Sequence, residues 1–131
     1  MPLLRSQQPP APKPLWVRRV VEVPLDTGET IRVPAWCYGM LAVHRTFSKT
    51  TWGKDHPWIV TATTVGRATA AVGSEADARR MAERLWSLHA DTYRLRDKDE
   101  MAAAIPESTK QWVRACREEG RYVDPESLPA V

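Results

Sequence analysis

The stretch TTVGRATAAVGSEADARRMAERLW, residues 63–86, changes its periodicity halfway along. Up to Val72 the residues alternate as in a strand that follows a tight turn at Gly66. After Gly73 the apolar residues recur at intervals of three and four, which is typical of an amphipathic helix. A hairpin followed directly by a helix predicts a sheet with one apolar face and a helix that covers it.

The helix after Gly73 is predicted to begin with a cap at Ser74, whose hydroxyl can accept a hydrogen bond from the first turn. Glu75 and Asp77 suit the positive N-terminal end of the helix dipole. About twenty helical residues at ~1.5 Å each reach across a small sheet. The predicted apolar stripe is Ala78, Met81, Ala82, Leu85, Leu88, His89 and Thr92.

Five extended segments are predicted to form the sheet: residues 15–25, 30–36, 37–47, 58–65 and 67–72. Pro24 and Pro34 put the first two strands at a sheet edge or beside a bulge, because proline cannot donate a ladder hydrogen bond. The last strand is expected to present small side chains that let the helix approach closely. These side chains are Ala68, Ala70 and Val72.

The C-terminal third is predicted to contain further helix. Residues 96–100 read as a solvated joint, and residues 101–105 as a short helical segment. Pro106 suits the first turn of a second helix, and Gly120 suits its end. The apolar stripe of that helix is Trp112, Val113 and Cys116.

Together these elements predict an α+β fold: a small antiparallel sheet of about five strands packed on one long helix, followed by a second C-terminal helix. A chain of 131 residues has room for one core, which we assign to residues 15–120. The prolines at positions 9, 10, 12 and 14 predict a disordered, proline-rich arm over residues 1–14. Residues 121–131 are expected to be a C-terminal tail.

The composition indicates a cytoplasmic protein with no membrane partner. No apolar run approaches the ~20 residues that a membrane helix needs. Cys37 and Cys116 are expected to be buried free thiols. Arginine outnumbers lysine fourteen to five and asparagine is absent, which is typical of a GC-rich genome such as that of an actinobacterium, its phage or a mobile element.

No motif in the sequence points to catalysis, so we expect a binding protein without catalytic residues, cofactor or metal. The three histidines are not spaced as a helical pair, and no Cys-x-x-Cys or glycine-rich phosphate loop occurs. A zinc site would have to be assembled from Cys37, His44 and His56 across strands, whereas structural zinc prefers closely spaced ligand pairs.

The positive charge is concentrated in the first half of the chain. Residues 1–70 carry nine Lys/Arg against four Asp/Glu, and residues 71–131 carry ten against twelve. Such asymmetry favours an anionic partner for the first half. The loop containing Trp52 between two lysines also suits stacking on a base. The predicted nucleic-acid-binding residues are Arg18, Arg19, Arg32, Arg45, Lys49, Trp52, Lys54 and Arg67.

The segment 58–86 resembles the strand–turn–strand–helix end of the small DNA-binding domains of tyrosine-type integrases. The matching positions are Trp58, Gly66, Ser74, Ala76 and Ala78. The resemblance covers less than a quarter of the chain and does not include the catalytic part of those integrases. It implies a shape, a hairpin backed by a capped helix, and assigns no function.

Two functional hypotheses follow. In the first, the protein is a small binding module that contacts nucleic acid through a basic sheet face, with arginine and lysine on the phosphates. In the alternative, it is a regulator or inhibitor that docks on a host protein through its edge strands, proline-rich arm and C-terminal helix. The modest net charge of +3 favours the alternative, and the basic first half favours nucleic acid.

Overall fold

Five strands and three helices follow one another in the residues that the computed structural model describes, which are 14–24, 27–46 and 57–128. The strands form one antiparallel sheet in chain order. The predicted α+β fold, with one long helix on a five-stranded sheet and a later C-terminal helix, is confirmed. The elements are β1 (Val17–Pro24), β2 (Thr30–Tyr38), β3 (Leu41–Arg45), β4 (Trp58–Ala62), β5 (Arg67–Val72), α1 (Glu75–Tyr93), α2 (Lys98–Ala104) and α3 (Glu107–Glu119).

Several predicted features fall outside the described residues. They are the proline-rich arm up to residue 13, the turn residues 25–26, the loop 47–56 and the last three residues of the predicted tail. Within the described ranges, no helix combines the length and the apolar character that crossing a bilayer requires.

One side of the sheet, here called the first face, packs against α1. Strand residues Leu41, Val43, Val60, Ala62, Ala70 and Val72 form a core with Ala78, Met81, Ala82 and Leu85 of the helix. The helix starts as predicted, since the backbone N–H of Asp77 donates to the Ser74 hydroxyl at 3.2 Å. Small side chains on both surfaces let the helix lie close to the strands.

The second half of α1 departs from the predicted stripe. His89 has non-helical backbone angles (φ −137°, ψ 35°), and this kink changes which side chains face the sheet. Leu88 is 52% exposed, so its predicted place in the core is wrong, whereas Tyr93 is fully buried. The kinked His89 donates or accepts a 2.8 Å hydrogen bond with Thr109 of α3.

A bulge separates the two ends of β5. Val60 is opposite Ala70, but its neighbour Thr61 is opposite Ala68, so Thr69 is an extra residue in β5. The extra residue reverses the alternation of faces, because successive strand side chains point to opposite sides. Ala68 is exposed and in register with Thr61 of the opposite face, so the prediction that it shares one face with Ala70 and Val72 is wrong.

The boundary between β2 and β3 also differs from the prediction. Cys37 belongs to β2, and the chain turns at residues 39–40. Gly39 has φ +59°, a conformation that favours glycine, and the Trp86 ring of α1 packs directly on it. The sequence pattern of alternating residues continues through this turn, which explains why periodicity alone placed the boundary too early.

The opposite side of the sheet, the second face, is also buried. Ala35, Cys37 and Ala42 form a second small cluster there, with Val21 of β1 packed against it. Pro24, at the end of β1, packs on Gly66 in the β4–β5 turn, where an added Cβ would lie 2.9 Å from Pro24 Cδ. Since β1 and that turn belong to opposite edges of the sheet, the contact shows that the β1–β2 hairpin curls over the second face.

The chain after α3 packs back onto the helix. Residues 121–131 are predicted to be a tail, yet Val123 is buried and its carbonyl accepts a 2.6 Å hydrogen bond from the Trp112 indole. The N–H of Val123 donates to the Cys116 sulfur at 3.4 Å. The packed region therefore extends at least three residues beyond Gly120.

Replacing Gly39 with alanine should destabilise the protein far more than the same change at Gly28. Both glycines have positive φ, which costs an L-residue about 1–2 kcal/mol. At Gly39 the new Cβ would also lie 2.6 Å from two ring atoms of Trp86, whereas nothing lies within 4 Å at Gly28. Overpacking typically adds about 1–3 kcal/mol.

The measurement is the free energy of unfolding from urea denaturation of both variants. Gly28→Ala is the matched control because it isolates the backbone contribution. Equal losses in the two variants would show that Trp86 does not pack on Gly39.

Candidate functional site

The strand register divides the predicted arginines between the two faces. Val43 is a core residue on the first face, so the residues opposite it on neighbouring strands also lie on the first face. Along each regular strand, every second residue from these positions lies on the same face. Arg19 is opposite Ala35 and lies on the second face. The predicted residues on the first face are Arg18, Arg32, Arg45 and Arg67.

The first face is only partly covered by α1, which packs mainly on β3, β4 and β5. Arg18, Val20 and Glu22 on β1 are exposed. Arg45, the last residue of β3, is exposed as well, so Arg18 and Arg45 both lie at the margin of the helix-covered region. The second face, by contrast, presents small buried side chains such as Ala42 and Thr61.

A cluster of tryptophans and arginines lies at this margin. The Arg18 guanidinium lies 5.3 Å from the centroid of the Trp36 ring. The Arg79 guanidinium, from α1, lies 4.8 Å from Trp36 and 4.9 Å from Trp16. Trp16 also packs on Tyr38 with ring centroids 5.1 Å apart. The contacts orient both guanidinium groups, each cation–π contact contributing about 0.5–1 kcal/mol at an exposed site.

Arg45 continues the cluster along β3. Its guanidinium lies 5.5 Å from the centroid of its register partner Trp58. Arg45 is two residues from Val43, which is opposite Trp36, so Arg45 and Trp36 are diagonal neighbours ~7–8 Å apart. We call this group the Arg–Trp surface, comprising Trp16, Arg18, Trp36, Arg45, Trp58 and Arg79.

The charges on the Arg–Trp surface are incompletely paired. Arg79 lies 3.5 Å from Glu75, and Trp16 Nε1 donates to Glu83 at 3.2 Å. Within the described ranges, neither Arg18 nor Arg45 forms an ion pair with a carboxylate. Their guanidinium N–H groups can therefore donate to an added anion.

The other predicted residues lie elsewhere. Arg32 is on the β1–β2 hairpin opposite Glu22, and Arg67 starts β5 beside α2 and α3. The predicted loop residues Lys49, Trp52 and Lys54 fall outside the described residues. The structure thus brings Arg18 and Arg45 together and places Arg19, Arg32 and Arg67 apart from them.

Arg79 is the main residue that the sequence does not single out. The helical pattern puts it on the polar side of α1 with Arg80, Arg84 and Glu83, where it reads as solvent-facing. Its position between Trp16 and Trp36 depends on how far β1 and β2 extend beside the helix. No local sequence signal records that distance.

His44 lies inside the curled sheet and is held as a neutral imidazole. Its Nδ1 lies 2.9 Å from the Arg45 carbonyl, which can only accept, so Nδ1 carries the proton. The Thr61 hydroxyl then donates to Nε2 at 2.7 Å. Burial lowers the pKa of His44 below 6.5, although the hydrogen bond to Arg45 opposes this shift. Burial likewise lowers the pKa of His89.

The thiols lie in buried positions. Cys37 is on the second face and Cys116 is on α3, and both are free. Burial raises the pKa of each thiol, with Arg19 opposing the shift at Cys37. In residues 14–24, 27–46 and 57–128, no group of three or more His, Cys, Asp or Glu is placed to hold a metal ion.

Comparison with family models, with curated proteins and with solved structures finds no match for this chain. The function is therefore inferred from the geometry and charge of the surfaces described above.

Stability should fall as the pH drops below about 6.5, partly because of His44. Its pKa is lower in the folded protein than the 6.5 of an unperturbed histidine, so the unfolded chain binds the proton first. The stabilisation is fully present above pH 6.5 and is lost as the pH falls toward the folded-state pKa. Over that range the free energy of unfolding decreases by up to about 1.4 kcal/mol per pH unit.

The measurement compares urea unfolding at pH 7.5 and pH 5, about one unit or more on either side of an unperturbed histidine pKa. His44→Gln should flatten the dependence, and His89→Gln, at a more exposed site, should flatten it less. An unchanged slope in His44→Gln would contradict the burial of a neutral imidazole at this position.

Proposed function

We propose that this protein binds nucleic acid through the Arg–Trp surface. The observation that carries the proposal is the arrangement of Arg18, Arg45 and Arg79 on adjoining elements, each with its guanidinium resting on a tryptophan ring. Two of the three have no carboxylate partner among the described residues. The surface thus carries oriented, incompletely neutralised positive charge.

The rings prepare the arginines for phosphate. A guanidinium donates from the edge of its plane, and its fork of N–H groups matches two oxygens of a phosphate. A guanidinium held over a tryptophan ring can still direct N–H groups toward solvent, and the contact limits the rotamers lost on binding. Adjacent strands are ~4.8 Å apart, so Arg18 on β1 and Arg45 on β3 are separated by roughly 10 Å. They can contact different phosphates.

The expected contacts are electrostatic and largely independent of base sequence. Trp36 is contacted by two guanidinium groups, so its ring supports arginine instead of offering an open platform for a base. Three phosphate contacts predict a log–log dependence of affinity on salt with a slope of roughly −2.7 for duplex DNA, or −2.1 for a single strand.

The double variant Arg18→Gln/Arg45→Gln should lose most of the affinity for a labelled oligonucleotide. Removing two of three phosphate contacts should also reduce the salt slope for duplex DNA by roughly 1.8. The measurement is fluorescence anisotropy over a salt series, starting near 50 mM, where phosphate contacts are strong. Circular dichroism verifies that the variant keeps its fold.

Arg96→Gln/Arg121→Gln is the matched control, since it removes the same charge from the loops after α1 and α3. The control should bind almost as tightly as the unaltered protein. If both double variants weaken nucleic-acid binding equally, the oligonucleotide is attracted by net charge alone. If the unaltered protein does not bind near 50 mM salt, the proposal is wrong.

A second candidate, docking on a host protein, is favoured by the outer edge of β1. This strand is at the end of the sheet and pairs with β2 on one side only in the described structure. Leu15, Val17 and Val20 are 82%, 40% and 57% exposed. A partner strand could add to this edge, although neighbouring charges and Pro24 are features that commonly protect edges.

Under this candidate, capture from an extract of the native host should return one stoichiometric protein that resists moderate salt. Val20→Pro should abolish capture, because proline removes a backbone donor from the strand edge. Val20→Thr should retain it, since threonine suits a strand. Capture that is equal with both variants, or no stoichiometric protein at all, would count against docking at β1.

A further inference from the structure

A second basic region surrounds a cleft of about 380 Å³ between β5, α2 and α3. Five cationic side chains line it in the described part of the chain: Arg67, Lys98, Lys110, Arg114 and Arg117. Arg67 starts β5, whereas Val72, the register partner of Trp58, ends it. Six residues of strand span roughly 17 Å, so the cleft is separate from the Arg–Trp surface.

The cations approach the cleft from three elements. Arg67 comes from β5, Lys98 from α2, and the remaining three from α3, where spacings of four and three residues put them on one side of the helix. Among the described residues, no carboxylate lines the cleft. Like charges at such spacing repel, so a bound anion would relieve the repulsion between Lys110 and Arg114.

Carboxylates lie close in sequence to three of these cations, Lys98, Lys110 and Arg114, without pairing with any of them in the described structure. Within the described ranges, no ion pair joins Arg67, Lys98, Lys110 or Arg114 to an acidic side chain. Because these four residues surround one cavity instead of being spread over the surface, a ligand inside it could contact several at once.

The interior of the cleft is apolar below this charged rim. Met101 and Ile105 contribute aliphatic surface, and Val113 of α3 lies beside the cations of the same helix. Thr69 and Thr109 add hydroxyl groups, Thr109 already being hydrogen-bonded to His89. An apolar interior with a few polar groups is typical of sites for small organic molecules, and 380 Å³ lies near the lower end of their size range.

We propose that this cleft binds a phosphate monoester attached to a small apolar or aromatic body, of about the size of a mononucleotide. The phosphate is held at the rim by Arg67, Arg114, Lys98 and Lys110, and the body lies against the aliphatic interior. Arginine suits phosphate because its planar fork donates two parallel hydrogen bonds. This site goes beyond the proposed function and uses none of the residues of the Arg–Trp surface.

The test uses the full-length protein with adenosine monophosphate (AMP), adenosine and inorganic phosphate as probes. Isothermal titration should show binding of AMP, with adenosine and inorganic phosphate each at least about tenfold weaker, since each lacks one part of the ligand. Equal binding of AMP and adenosine would overturn the role of the cations. Equal binding of AMP and inorganic phosphate would overturn the role of the apolar interior.

Variants on two different elements test the location. Lys110→Gln/Arg114→Gln on α3, and Lys98→Gln on α2, should each weaken AMP binding by about tenfold or more while leaving the unliganded melting temperature equal or higher. A rise in that temperature would reflect the relief of repulsion between like charges. AMP affinity that is unaffected in both variants would overturn the site, and the second variant remains decisive if the first fails to fold.

Two controls separate this site from the proposed function. Arg18→Gln/Arg45→Gln should leave AMP affinity unchanged. If that variant loses AMP binding while the cleft variants retain it, the ligand binds outside the cleft. A 5′-phosphorylated oligonucleotide compared with its 5′-hydroxyl counterpart identifies the source of the phosphate. If the phosphorylated strand binds more tightly and the cleft variants lose this difference, the cleft binds nucleic-acid ends. If the two strands bind equally, the cleft binds free mononucleotides.

Discussion

The packing of α1 on the first face determines which parts of the sheet can bind anything. Ala78, Met81, Ala82 and Leu85 occupy the centre of that face over β3–β5, and none of the four has measurable exposure. A helix ~10 Å in diameter cannot also cover a five-stranded sheet to its far edge. The uncovered margin on β1 and β2 is therefore where Trp16, Trp36 and their arginines collect. The Arg–Trp surface is a consequence of incomplete coverage.

The curl of the β1–β2 hairpin removes the other obvious binding face. With Pro24 against Gly66, the residues of the second face become an interior, and their small size is what permits the curvature. His44 and Thr61 satisfy each other there as a buried polar pair. The surfaces that remain for binding are therefore the margin of the first face, the sheet edge and the cleft. Their composition depends on how the elements pack together much more than on the sequence of any one strand.

Local sequence signals predict the features of this fold that are decided locally. The Ser74 cap, the start of α1 and the antiparallel character of the sheet follow from neighbouring residues or from alternation, whereas the order of the strands within the sheet does not. The kink at His89, the extra residue Thr69 in β5 and the turn at Gly39 do not, because each is stabilised by a contact with a distant element. Thr109 of α3 contacts the kink, and Trp86 of α1 packs on the turn.

The candidate sites were harder to predict than the fold for the same reason. Arg18 and Arg45 can be found from sequence as cations on alternating strands, but Arg79 joins them only through Trp16 and Trp36. The Lys110, Arg114, Arg117 spacing on α3 is visible in the sequence as a basic helical stripe. Its significance depends on Arg67 and Lys98 facing the same cavity, which requires the tertiary structure.

The net charge of each half of the chain obscures where positive charge is concentrated. Residues 71–131 sum to −2, from ten cations and twelve acids, yet they supply four of the five cations around the cleft. Eight of those twelve acids cap or begin helical segments: Glu75, Asp77, Asp97, Asp99, Glu100, Glu107, Asp124 and Glu126. Carboxylates at helix N-termini interact with the helix dipole and with backbone N–H groups. Because they are held at those ends, none of them forms an ion pair with Lys98, Lys110 or Arg114 within the described residues, and a half-chain with negative net charge can still contain a basic cleft.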